Sequence, residues 1–469
     1  MNDGLPMQEF PLARRTTLAI LVALIAVHIA LAATLASITP FRTAGALFTQ
    51  FDPRTHAPQK VPDIGAPDER QHVNYIARLV HGGGFPVLKV DANLGETYQS
   101  HQPPAYYLLA AGWATVTGTY LPPEPPASEG KEMTQSDGLK LRSLNVIIGS
   151  ITVAGVFFLC FWAYRKPEAA LVAAAFAALL PMNAGLSGAV SNDPLLICLC
   201  TWTLALCIKA IREGWTAKLA FSVGLLAALA VVTKTTGAVL LPIVLVAAFL
   251  PKDGRATVKQ IGFALVPFLV LVLPWWVRNQ SLYGDPLAMG AFNRAFTGSP
   301  QAKDFIAGMG FTDYWRWVAS WTSASFIGVF GYMDVWLTNN GIPSGANSIY
   351  QVGWLVILVA FAGWILSLRK TSERPEKQAH LLNGAFFLAV LASFLLFNNH
   401  YFQAQARYLL PALGPVACGI GLGLYTICQE RWKIALAIVV LAFGFAAAFA
   451  VAKLPTEFDH RIEMAKRLP

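Results

Sequence analysis

Three acids and three cations in this chain combine residue type and spacing in a way that chemistry could use. Asp68 and Glu69 follow Pro67 at the head of APDERQHVNYIARLVH (66–81), where Val73, Ile76, Ala77 and Val80 recur at helical spacing and Gly82-Gly83-Gly84 closes the run. Pro67 suits a first helical position, which puts both acids in the first turn, where the helix dipole favours an ionised carboxylate ready for a proton or a metal. His72 lies one turn on from Asp68, on the same side. Asp193 stands in the turn Ser191-Asn192-Asp193-Pro194. Acids also cap helices and turns routinely, so spacing alone leaves both readings open. The cations are Lys234 in TKTTG, Arg278 in PWWVRNQ and Arg407 in ARYLLPALGP. Ammonium and guanidinium groups pair with phosphate, and the competing explanation is snorkelling to ordinary phospholipid.

The elements that must position these groups follow from composition. Of 469 residues, 55% are hydrophobic and only 13% charged, about half the charge of a soluble domain, so the chain is a membrane protein. A bilayer core needs about 20 apolar residues per helix. Eleven runs approach that length: 18–38, 141–164, 168–190, 194–211, 217–233, 236–250, 260–277, 351–368, 380–397, 407–428 and 432–452. The runs at 217–233 and 236–250 are short for a full crossing. The expected fold class is therefore an all-α polytopic membrane protein with about 11 transmembrane helices, forming one integral-membrane domain over 1–469.

Charge then orients it. The first run is too long for a cleaved signal peptide and follows Arg14 and Arg15, so it reads as a retained anchor with the amino terminus in the cytoplasm. The inner segments that result hold sixteen basic residues, while the short outer turns hold only Lys234 and Arg407. The pattern survives only if 39–140 and 278–350 stay wholly outside. HQPPAYYLLAAGWATVTGTYL (101–121) is then expected to lie along the outer interface, and WRWVASWTSASFIGVFG (315–331) to be interfacial or re-entrant. PPEPPASEGKEMTQSDG (122–138) reads as an extended linker back to the second span. The exception is the tail 453–469, which lands outside with Lys453, Arg461, Lys466 and Arg467.

Sixteen of the 35 basic residues thus serve orientation, which removes the argument for a nucleic-acid partner from the net charge of +9. The six cysteines all fall in apolar runs as small hydrophobes, with no metal or disulfide assigned to them. Tryptophans at the outer boundaries read as an aromatic belt. A phosphate-cradling glycine loop, zinc spacing and a Gly-x-Ser-x-Gly elbow are missing from the sequence.

The order of these stretches resembles the GT-C superfamily of polytopic glycosyltransferases, in the branch with the lipid A aminoarabinose transferase and the protein O-mannosyltransferases. The stretches are PDERQHVNYI (67–76), HQPPAYYLL (101–109), SNDPLL (191–196), VTKTTG (232–237), PWWVRNQSLYGDPL (274–287) and ARYLLPALGP (406–415). The resemblance implies a long first extracytoplasmic loop with juxtamembrane helices and transfer of a sugar from a polyprenyl-phosphate donor. It implies catalytic roles for Asp68, as general base, Glu69 and Asp193. It assigns His72, His101, Lys234, Arg278, Arg407 and Tyr408 to substrate and lipid-phosphate binding. Relatives often carry arginine three positions after the first-loop Asp, where this chain has Gln71. The reaction expected is inverting transfer to an extracytoplasmic lipid, glycan or protein, in a bacterial inner membrane. A divalent cation bridging the acids and the phosphate is compatible with the same groups, and no other cofactor is called for. The rivals are a lipid-linked sugar flippase, which needs binding groups on both faces, and a non-enzymatic envelope-assembly scaffold, which predicts that Asp68 and Asp193 lie far apart.

Overall fold

A computed structural model describes residues 14–48, 58–123, 132–251, 254–338 and 348–468. All eleven apolar runs fall on helices, and the chain is a multi-pass membrane protein. Among the described residues, eight helices are long and apolar enough to cross a bilayer: Arg14–Ile38, Gln135–Tyr164, Asp193–Glu213, Val258–Tyr283, Ser348–Lys370, Arg374–Asn398, Leu410–Ile427 and Trp432–Ala465. Pro167–Leu179 and Pro181–Ser187, bent by 61°, pass the same test only when taken together, as a broken span or a re-entrant loop. The two marginal runs are the shorter helices Ala217–Val231 and Thr235–Phe249.

The bend has a local cause. Pro181 has no N–H, so the ladder breaks there and the carbonyls of the preceding turn lose their partners. Asn183 Nδ2 donates to the Ala177 carbonyl at 2.8 Å, and His28 Nδ1 sits 3.0 Å from the Ala178 carbonyl. His28, fully buried in the middle of the first span, thereby meets a need created by the neighbouring helix. Every residue of Pro167–Leu179 is buried, as a helix apolar on all sides should be, and its alanines let neighbours come close. Ser348–Lys370 and Leu410–Ile427 cross backbone to backbone, because a Cβ at Gly423 would overlap the Ala360 carbonyl. That crossing fixes the helix whose leading turn carries Arg407.

The first outer segment holds the helix Glu69–Val80. It begins later than the proline suggested: Asp68 is its N-cap in a left-handed backbone conformation, φ 61, so the acid precedes the first turn. Val73, Ile76 and Ala77 are buried as expected, whereas Val80 at the helix end is exposed. Gly82, at φ 76, stops the helix. The apolar stretch at 101–121 forms Ala105–Val116, whose 12 residues are too few to cross and which packs on Glu69–Val80 with Tyr75 and Tyr107 stacked at 3.8 Å. The 315–331 stretch forms Phe311–Ile327 and leads into a short hairpin, Val329–Phe330 with Val335–Trp336. Part of the 122–138 linker, residues 124–131, lies outside the described residues. A capping box at Thr134 and Asp137 then starts the second span.

The tail resolves its own charge conflict. The last helix runs to Ala465 against residues of both long segments between spans, where Arg461 pairs with Asp334 and reaches the Ala46 carbonyl, and Lys453 donates to the Trp336 carbonyl at 2.9 Å. Those partners compensate basic residues that the orientation rule disfavours.

Candidate functional site

Asp68 would ordinarily cap its own helix, but its side chain makes no capping bond. Its carboxylate is spent elsewhere: Tyr98 donates to Oδ1 at 2.5 Å and Arg407 Nη2 donates to Oδ2 at 2.8 Å. A non-glycine residue held in left-handed backbone with its cap unused is the kind of strain that surrounding structure must impose. Asp193 opens the helix Asp193–Glu213 in a turn fixed by side-chain amides. Asn145 donates to the Ser191 carbonyl at 2.8 Å, and Asn192 donates to the Thr233 carbonyl at 3.2 Å. Lys234 Nζ bonds Asp193 Oδ1 at 2.5 Å, and Arg407 Nη1 stands 4.0 Å from Asp193 Oδ2.

One guanidinium therefore bridges two acids that come from distant parts of the chain. Tyr408 completes the group: Arg407 Nη2 donates to its hydroxyl at 3.2 Å, and Lys234 lies 5.3 Å from its ring centroid. The side chains of Asp193, Arg407 and Lys234 are 4%, 7% and 13% exposed and that of Asp68 is 19% exposed, so the site is sheltered with Asp68 its most accessible member. Pairs this buried interact far more strongly than surface pairs, and each charge would be costly without its partner.

Burial alone would raise the Asp68 carboxyl, but the Arg407 guanidinium, His72 and the Tyr98 hydroxyl outweigh it and hold the group below the usual carboxylate range. Burial works against the charge on Arg407 too, and Tyr408 with the two carboxylates more than offsets it. Burial lowers His72 to about 4, against the pull of Asp68 and Asp193, so the imidazole is neutral at pH 7. Its Nδ1 meets the Tyr107 hydroxyl at 2.8 Å. His101 is likewise lowered by burial to about 4. Its Nδ1 faces the Tyr98 carbonyl at 2.7 Å and its ring packs edge-on to Phe292. Both acids are matched by cations, and no group of three metal-ligating side chains exists among the described residues. A donor set already neutralised by Lys234 and Arg407 does not suit a divalent ion.

Asp68, Asp193, Lys234, Arg407 and Tyr408 come together, with His72 in their field. Glu69 and Arg278 do not join them. Glu69 turns inward and takes Arg142 on both oxygens, at 2.8 and 2.6 Å, while the Val190 N–H donates to it at 2.8 Å. Arg142 also donates to the carbonyls of Ala36, Thr39 and Pro40. The pair ties the first span, the first-loop helix and the second span to the approach to Asp193. Arg278 donates to the Pro86 carbonyl at 2.8 Å and lies over Trp275, 4.6 Å from the ring centroid. Sequence reasoning missed Tyr98, Tyr332 and Arg142. The Tyr332 hydroxyl bonds the backbone of Asp68 and the Tyr98 hydroxyl. Only the position of Tyr98, three residues before His101, hinted at a role.

An apolar groove of about 260 Å³ lies between Phe311–Ile327 and Arg374–Asn398, lined by Trp315, Val318, Phe326, Leu391, Phe394 and Leu409. Leu409 sits two residues from Arg407.

The chain has the GT-C polytopic membrane fold. The profile of the dolichyl-phosphate-mannose-protein mannosyltransferase family matches residues 130–277, about a third of the chain, including Asp193 and Lys234. The oligosaccharyltransferase of Archaeoglobus fulgidus, solved with a tethered acceptor peptide, superposes with a TM-score of 0.54 at 15% identity over 94% of this chain. The chain spans about half of that protein, 55% of its length. ArnT from Cupriavidus metallidurans, solved with undecaprenyl phosphate, gives a TM-score of 0.53 at 13% identity, covering 97% of this chain and 72% of ArnT. Its apo form gives 0.54. No curated protein matches the chain by sequence. The GT-C resemblance expected from the sequence motifs is thus supported both by profile and by fold.

Proposed function

We propose that this protein is a glycosyltransferase that takes a sugar from a polyprenyl-phosphate donor and transfers it, with inversion, to an acceptor hydroxyl on the extracytoplasmic side of a bacterial inner membrane. The observation that carries this reading is the Arg407 guanidinium held between Asp68 and Asp193. Asp68 takes the proton of the acceptor hydroxyl as that oxygen attacks the anomeric carbon. The bond from the anomeric carbon to the phosphate oxygen breaks, and the lipid phosphate leaves with the electron pair. Lys234 and Arg407 stabilise its charge. A general base contributes about 10²–10⁴-fold, and fixed cations aimed at a leaving group contribute a comparable factor.

The resting geometry adds a condition. With Arg407 on Asp68 the carboxylate is a weak base, so an arriving phosphate must draw the guanidinium toward itself and release the proton acceptor. The donor and the base are thereby coupled through one side chain. Glu69 acts in this scheme through Arg142, by fixing the helix that carries Asp68. His101 stands at the edge of the site, in the field of Lys234 and Asp68, available to the lipid phosphate or the sugar. The apolar groove beside Leu409 offers room for part of the prenyl chain.

The close approach of Asp68 and Asp193 argues against a scaffold, and the gathering of the candidate groups on one face argues against a flippase. The test uses proteoliposomes with undecaprenyl-phosphate mannose, glucose or aminoarabinose added from outside. Sugar moved to an added acceptor extract supports transfer, whereas donor delivered to the lumen with its sugar–phosphate bond intact refutes it.

A further inference from the structure

The second outer segment contains a hairpin whose tip is tightly wound. Val329–Phe330 pairs antiparallel with Val335–Trp336, and Gly331 and Met333 take left-handed backbone at φ 60 and φ 62. Glycine adopts that conformation freely, and methionine does so only where neighbours enforce it. Two sets of neighbours do. At the tip, Phe330, Gly331 and Met333 share a small pocket with Ala66 and Pro67, the residues immediately before Asp68. A Cβ on Gly331 would come within 3.3 Å of the Ile64 carbonyl oxygen. At the far end of the turn and along the second strand, the C-terminal helix grips the hairpin. Buried Arg461 pairs with the Asp334 carboxylate, donates to the Asp334 carbonyl at 3.1 Å and reaches the Ala46 carbonyl at 3.4 Å. Lys453 donates to the carbonyls of Trp336 and Thr338.

Tyr332 occupies the tip, and its hydroxyl bonds both the Asp68 backbone and the Tyr98 hydroxyl. Tyr98 directs its own proton to Asp68 Oδ1. The proton of Tyr332 is then free to go to the Tyr98 oxygen, and the Tyr332 oxygen receives the Asp68 N–H. A closed ring results: Asp68 N–H to Tyr332, Tyr332 to Tyr98, Tyr98 to the Asp68 carboxylate. It ties the left-handed backbone of residue 68 to its own side chain.

We propose that Tyr332 is a positioning residue for Asp68, and that the C-terminal helix holds it in place by clamping the hairpin through Arg461 and Lys453. The inference rests on the reading of Asp68 as the base. The groups facing that carboxylate are Arg407, Tyr98, Tyr332 and His72, with Asp193 beyond the guanidinium. Without the Tyr332 hydroxyl, Tyr98 loses a donor and its bond to the carboxylate weakens. The proton affinity of Asp68 rises, and the carboxylate loses its fixed orientation.

The experiment uses full-length protein in nanodiscs with the undecaprenyl-phosphate sugars above. Tyr332→Phe keeps the ring and should lower kcat about tenfold, the loss of roughly one hydrogen bond, with KM for the donor unchanged. The acid limb of its rate profile should move to higher pH. Arg461→Met should reproduce the kcat loss, Arg461→Lys should recover most of it, and the Tyr332→Phe/Arg461→Met double variant should be no worse than the poorer single. Wild-type kcat and an unmoved acid limb in Tyr332→Phe would overturn the proposal. A second readout needs no turnover. Hydrogen exchange of the 64–72 peptide should quicken at least about fivefold in Tyr332→Phe and Arg461→Met while the spans stay protected, and unchanged exchange in both also overturns it. If no donor is turned over by wild type, the functional reading fails by itself and exchange alone decides the positioning role.

Discussion

Replacing Arg142 by methionine removes a guanidinium that donates to Glu69 twice and to three carbonyls at the end of the first span. Its side chain is fully buried and that of Glu69 is 5% exposed, so the stranded carboxylate cannot be rescued by water. Breaking one side of a buried pair costs about 3–5 kcal/mol. For a chain of this size that is a fall of roughly 5–10 °C in the unfolding midpoint. Glu69→Gln should cost less, about 2 kcal/mol, because the three carbonyls and one amide oxygen still satisfy most of Arg142. The double variant Glu69→Leu/Arg142→Met removes both charges and should recover at least half of the loss of Arg142→Met. The assay is thermal unfolding of detergent-solubilised protein followed by intrinsic fluorescence, run as a complete cycle. Arg142→Met melting within about 1 °C of wild type would refute the reasoning. So would a double variant no better than the single, since the energy would not then reside in the pair.

Acid should destabilise the protein through His72. Its folded pKa of about 4 lies below the ordinary histidine value of 6.5, so between the two the unfolded chain binds a proton that the folded chain refuses. Stability is full above about 6.5 and falls between there and 4, by about 3 kcal/mol for this residue. His72→Gln should flatten the pH dependence of the melting curve across that window, and an unaltered slope would contradict it. Asp68 has linkage of the same sign at lower pH: its folded pKa is depressed, so its contribution is present above the ordinary carboxylate range and is lost as pH falls through the folded value. Gly423→Val should disrupt the crossing with Ser348–Lys370, lowering the yield of folded protein several-fold, while Gly419→Val, whose added Cβ has open space, should not.

The bilayer made much of this architecture legible. It demands apolar runs near 20 residues and penalises lysine and arginine on one side, so the spans and the outer segments stand out in the sequence. Asp193, Lys234 and Arg407 were visible for the same reason, as charges at span boundaries, each with a capping or snorkelling reading beside the functional one. The Asp68 and Glu69 pair was legible only in part. Glu69, in the first turn of its helix, faces Arg142 in the core, while Asp68 precedes the helix and is turned toward Arg407. Pro67 suggested an early helix start, and the left-handed backbone at Asp68 overrode it. Tyr98 and Tyr332 looked like any interfacial tyrosine, because their role depends on contacts from separate loops that no local period encodes. The tail cations conflicted with the orientation pattern until their partners, Asp334 and the Trp336 carbonyl, were seen across the fold.

The central claim is that the carboxylate of Asp68 removes the acceptor proton. The most direct measurement compares single-turnover sugar transfer from a polyprenyl-phosphate donor by wild type, Asp68→Asn and Asp313→Asn, the last an exposed acid on the outer segment. The account predicts a loss of at least about 100-fold for Asp68→Asn with donor binding retained, and wild-type transfer for Asp313→Asn. Equal transfer by the two variants would contradict it.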